Sequence, residues 1–194
     1  MNKAIKILVS TDLIMFGALG LVTPFFAVFI TNQIQGGSIE VIGFAAGIYA
    51  ILKSLLQIPI GKFLDKVKGE KDDFGFLILG YLIVALVPIG YIFSFLPWHI
   101  YILQAIYAVG MAMAYPSWFA IFTRHVDKGK EAFEWSIWST NIDLGVGIAG
   151  IIGGILVAKF NFNFVFILAS IIACMSILGL FIVRNYILSK KSAN

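Results

Sequence analysis

Charge is scarce in this chain. Asp, Glu, Lys and Arg make up 12% of its 194 residues, about half the share of an ordinary soluble domain. None of the four occurs between Phe74 and Thr123. Cysteine is reduced to Cys174, which excludes an intrachain disulfide. The two histidines, His99 and His125, stand in no metal-ligand spacing with it. No His-Glu-x-x-His pair, phosphate-binding glycine loop or dinucleotide fingerprint is present, so neither a metal nor a cofactor is expected.

Apolar residues take the space that charge leaves. They make up 60% of the chain, and the mean hydropathy is +0.97. A soluble fold of this size could not hide so much apolar surface. A soluble enzyme, a nucleic-acid binder and a disordered tail are therefore excluded, and the lipid bilayer becomes the expected surroundings. A bilayer core of ~30 Å is crossed by about 20 helical residues. Six spans fit, over about 5–30, 41–64, 74–94, 100–123, 135–158 and 160–183. Lys3 and Lys6 ahead of the first run could mimic a signal peptide, but the run is too long and no small-residue cleavage site closes it.

The cations orient the spans. Lys3, Lys6, Lys62, Lys66, Lys68, Lys71, Arg124, Lys128, Lys130, Arg184, Lys190 and Lys191 fall on one side, and Lys159 alone on the other. The positive-inside rule then makes both termini cytoplasmic, in a multi-pass protein of the cell membrane. An internal repeat is also visible. Pro24 and Gly61 are 37 residues apart, as are Pro116 and Gly153, and the shift of 92 between the copies carries Asp12 onto Gln104. Three spans separate the copies, so the second is inverted across the membrane, a building pattern of several transporter folds.

The exit of the second span reads Gly61, Lys62, Phe63, Leu64, Asp65, Lys66, Val67, Lys68, Gly69, Glu70, Lys71. It resembles the signature between the second and third helices of the major facilitator superfamily. Gly69 comes one residue late, and Glu70 stands where a base is common. Pro24 late in the first span fits the same family, as do Gly110 and Pro116 in the fourth. The run Gly145, Gly147, Ala149, Gly150, Gly153, Gly154 is similar to its fifth-helix glycine motif, with Gly150 in place of proline. Gln104 stands where many proton-coupled members have a membrane arginine.

The resemblance implies an all-α membrane protein. Its six helices would form two inverted three-helix repeats, half of a major-facilitator-type fold in one bundle over 1–194. It also implies secondary active transport of a small solute by alternating access. One bundle cannot enclose a two-sided cavity, so a homodimer or a partner half is expected. The alternative is a non-transporting membrane scaffold or assembly protein. An intramembrane protease is disfavoured, because the histidines lie near interfaces and neither Asp12 nor Asp143 has a tight glycine setting.

The site candidates are polar groups within the spans. A charge near the bilayer centre costs roughly 2.5–3.5 kcal/mol and must face a bundle interior, a cavity or a partner. Lys53, ~18 Å from its helix end at 1.5 Å per residue, could bind an anionic substrate, or pair within the bundle. Asp12 and Asp143 could carry a proton, or pair within the bundle. Gln104 and Asn141 are weaker ligand candidates, since amides in membrane helices often bond only to a neighbouring helix. The resemblance places Asp12 and Gln104 toward a central cavity. It also places Gly43, Gly47, Gly145, Gly150, Gly153 and Gly154 at a contact between bundles, with packing inside the bundle as the other reading.

Overall fold

The computed structural model describes residues 1–67 and 69–192, with side chains through residue 188. Lys68 and the side chains of Lys190 and Lys191, counted above among the orienting cations, lie outside the described residues. The described residues form seven α-helices: α1 (Lys3–Gly20), α2 (Phe26–Gln33), α3 (Ile39–Lys66), α4 (Lys71–Ile92), α5 (Pro97–His125), α6 (Glu131–Lys159) and α7 (Phe162–Ser192). α1 and α2 together make the first of six segments long and apolar enough to cross a bilayer. No strand occurs among the described residues. The helices follow the apolar runs and extend them by capping. Asn2 accepts from the Ile5 amide at the start of α1, and Ser38 accepts from the Val41 amide at the start of α3.

The first span departs from the single helix expected over 5–30. It breaks after Gly20 and passes through a 3-10 turn, Thr23–Phe25, before resuming as α2. Pro24 is the cause, since it has no N–H to give the carbonyl one turn earlier. At the break the Leu19 carbonyl accepts from the Val22 amide at 3.0 Å and from the Thr23 hydroxyl at 2.9 Å. Pro59, Pro88 and Pro116 stay within continuous helices. The stretch from Arg124 to Glu134 ends α5 and begins α6 around a short connection.

The packing repeats under exchange of the two triplets. α1 lies against α6 and α7, α5 lies against α3 and α4, and α4 and α7 pack on each other. α1 and α5 barely touch, and a cleft opens between them. Across this arrangement the two marker prolines face glycines of the other triplet. Gly61 lies against Pro116, and Gly150 against Pro24. The bulk of the core comes from α1, α4, α5 and α7, with Phe74, Phe122, Met15 and Leu180 fully buried. α3 and α6 are the least covered.

Of the two readings of the α6 glycines, the contacts favour packing inside the bundle. A Cβ on Gly145 would meet Leu13, on Gly153 the Leu21 backbone, and on Gly154 the Phe25 ring. These glycines, with Gly150, let α6 close onto the first span, so they pack inside the bundle and not on an open face. Gly43 and Gly47 differ. A Cβ on either meets nothing, and both border an apolar groove on the outside of α3. The phenylalanines at the start of α7 also divide. Phe160 and Phe164 are exposed, while Phe162 and Phe166 pack on Phe29.

A direct comparison follows from the two glycine sets. Gly153→Val should lower the thermal midpoint in detergent, with an overpacking cost of about 1–3 kcal/mol, whereas Gly47→Val should leave it unchanged. Equal midpoints would contradict the packing described.

Candidate functional site

The cleft is lined from the first span, α3, α4 and α5, with Val84, Val87, Pro88 and Tyr91 coming from α4. Asp12, Phe16, Leu19, Thr23 and Phe26 line it from the first span, and Ile42, Ala46, Tyr49 and Lys53 from α3. From α5 come Gln104, Tyr107, Tyr115, Trp118 and Phe119. On α3 the residues recur at steps of three and four, and on α5 Gln104, Tyr107, Tyr115 and Trp118 recur at three, eight and three, so each set shares one helix face. At the end away from the termini the cleft widens to a cavity of about 330 Å³. Its wall is apolar and aromatic, with Gln104 as its amide. The Gln104 Nε2 donates to the Tyr91 hydroxyl at 3.1 Å, and the Tyr49 and Tyr107 rings stack at 4.8 Å.

Asp12 sits deeper, toward the terminal end, and is 1% exposed. The Tyr81 hydroxyl donates to its Oδ1, and the Trp138 indole donates to its Oδ2 at 2.7 Å. Phe16, Tyr115, Trp118 and Phe119 close a recess around it of about 10 Å³, room for one water at most. Asp12 and Gln104 therefore lie on one cleft but in different compartments. Neither Asp12 nor Lys53 makes an ion pair among the described residues. The Lys53 ammonium instead stands over the Tyr115 ring, 3.6 Å from its centroid, and 5.9 Å from that of Tyr49. The ring faces carry negative charge density and attract it.

The remaining candidates lie apart. The Asn141 amide donates to the Ile137 carbonyl of its own helix at 2.7 Å. Asp143 is on the exposed face of α6, in a stripe with Ser136, Ser139 and Thr140. In the signature loop, Asp65, Lys66 and Lys71 are exposed. Gly69 adopts φ +127°, which favours glycine, and its carbonyl accepts from Arg124 at 3.4 Å. Glu70, the departure from the usual base, is buried and pairs with His125 at 3.1 Å. Arg124 also binds the fully buried Asp73.

The N-terminus closes the same end. The Met1 ammonium lies 3.0 Å from Asp127 and 3.2 Å from Glu134, and the Asn2 amide donates to the His125 carbonyl. The Asp127 and Glu134 carboxylates hold the ammonium above its ordinary range, and the ammonium and Asn2 hold the Asp127 carboxyl below its own. The contribution of the ammonium is lost as pH rises through its raised value, and that of Asp127 as pH falls through its lowered value. The contact thus spans the neutral range.

The sequence profile described as Major Facilitator Superfamily matches residues 8–194. The chain belongs to that superfamily. It is an integral, multi-pass membrane protein, with six segments long and apolar enough to cross a bilayer. No curated protein matches it. Among solved structures it is similar to one titled "In meso crystal structure of the POT family transporter PepTSo", with a TM-score of 0.70 at 12% identity. The likeness shows the fold, covering 95% of this chain and 38% of that one. Against the superfamily's fold, the aromatic partners Tyr81, Trp138, Tyr115 and Tyr49 are what the sequence reading missed. A weak signal was present: buried Tyr and Trp carry a donor that needs an acceptor, and Asp12 is the charged acceptor in the first span.

The Arg124 contact gives a stability test. Arg124→Leu strands Asp73 without its partner and should cost about 3–5 kcal/mol, and adding Asp73→Asn should recover part of it. The check is thermal unfolding of the single and double variants, and an additive double variant would count against the pairing.

Proposed function

We propose that the protein moves a small solute across the membrane by alternating access, as a secondary active transporter. The observation that carries this reading is the α1–α5 cleft, which holds Lys53 with no carboxylate partner among the described residues and ends at the buried Asp12. A protein with only a scaffolding role has little use for the cost of such charges. Lys53 engages the solute in the middle of the cleft, and Asp12 takes and releases a proton. Gln104 contributes a neutral hydrogen-bonding group to the wider cavity.

The bundle works with a second one, either another copy or a partner half. Support comes from α6, where Ser136, Ser139, Thr140 and Asp143 form an exposed polar stripe on a span. Hydrocarbon does not accept such a stripe, whereas a facing bundle or a water-filled path between bundles does. Gly43 and Gly47, open on α3, supply a surface for close approach. Asp65 at the end of α3 faces outward and is free to meet the second bundle. The termini lie on the cytoplasmic side of the cell membrane, in line with the cations gathered at that end.

Proteoliposomes test the reading. Solute flux should be abolished by Lys53→Leu. Asp12→Asn should remove its sensitivity to a proton ionophore while leaving the protein inserted. Flux unaffected by either substitution, or no flux with any partner, would contradict it.

A further inference from the structure

The cleft changes chemistry along its length. Its far half is the 330 Å³ cavity, walled by Leu19, Val22, Phe26, Ile42, Val87 and Tyr91, with neutral polar groups and no charge. Such a volume suits a small organic molecule held by apolar contact. Tyr49 belongs to both parts: its ring lines the cavity and forms one side of the platform under Lys53. Lys53 follows Tyr49 by one helical turn, so the ammonium stands next to the cavity on the same face of α3. That ammonium has ring faces around it and no carboxylate among the described residues. The nearby acid, Asp12, is engaged by Tyr81 and Trp138.

An apolar cavity joined to one uncompensated cation selects by class. An organic cation would set its charge against Lys53. A neutral solute would displace water from around the ammonium without giving it a counter-charge. A sugar would find too few donors and acceptors on the cavity wall. We infer that the combined site takes an amphipathic organic anion, its apolar body in the cavity and its single anionic head on Lys53. This deepens the transport reading and rests on it for the step from binding to flux. The same chemistry is offered by a free carboxylic acid and by an anionic lipid.

The full chain in phosphatidylcholine nanodiscs is titrated calorimetrically with naphthalene-2-carboxylate, its neutral amide and naphthalen-2-ylmethylammonium. The carboxylate should bind at least about tenfold tighter than the other two, one factor of ten corresponding to about 1.4 kcal/mol. Lys53→Met should bring the carboxylate to the level of the amide, and Lys53→Arg should restore it. Ala46→Phe, which fills the cavity, should weaken carboxylate and amide alike. Lys53→Met removes a membrane charge, so matched thermal unfolding separates lost binding from lost fold. Carboxylate affinity unchanged by Lys53→Met, or tightest binding of the ammonium, overturns the inference. Adding phosphatidylglycerol to the discs separates the sources: displacement of the carboxylate assigns the site to an anionic lipid, and retention assigns it to a free solute. Lys53-dependent binding without flux in proteoliposomes would keep the site and remove the transport reading. Flux of the ammonium probe without carboxylate binding would do the reverse.

Discussion

Hydrocarbon offers an isolated charge no partner, and three side chains carry charge into the membrane spans here. Each meets that constraint in its own way. Asp12 is fully enclosed and takes two neutral donors, Tyr81 and Trp138, which disperse its charge without an ion pair. Lys53 rests on tyrosine faces at the edge of a cavity. Asp143 stands exposed on α6 and is left to whatever lies beyond the bundle. The first two organise the cleft, and the third points outward from the bundle.

The cleft itself follows from the repeat. Exchanging the triplets maps the α1 contacts with α6 and α7 onto the α5 contacts with α3 and α4. The symmetry leaves α1 and α5 apart, each packed against two helices of its own side and open toward the other. The prolines that mark the repeat are seated on glycines of the opposite triplet, so the bend of the first span and the close approach of α6 are one packing solution. At the terminal end, buried Asp73 and Glu70 meet Arg124 and His125, and the N-terminus meets Asp127 and Glu134. Salt bridges tie that end, while the opposite half of the cleft stays wide.

Much of this was legible in the residue string. The spans were readable because lipid demands long apolar helices, and the family because Gly61, Asp65 and Gly69 keep their order near a membrane exit. The inverted repeat was visible in two proline–glycine pairs. What was not legible depended on facing. Gly43 and Gly150 are both small residues on long apolar helices, yet one opens outward and the other meets Pro24. With apolar side chains all around each helix, no amphipathic pattern distinguished the inward face. The aromatic partners of Asp12 and Lys53 were hidden for the same reason, since Tyr81, Tyr115 and Trp138 lie far from Asp12 or Lys53 in the chain and meet them only in the bundle.

Transport along this cleft requires water, and not lipid, beside Lys53. Cys174 is the one native cysteine, so Cys174→Ala provides a background for thiol mapping in native membranes. Thr23→Cys and Ala46→Cys, on the cleft wall, should react with a membrane-impermeant maleimide, while Ile171→Cys, on the exposed face of α7, should not. Labelling of Ile171→Cys together with silence at both cleft positions would contradict the account.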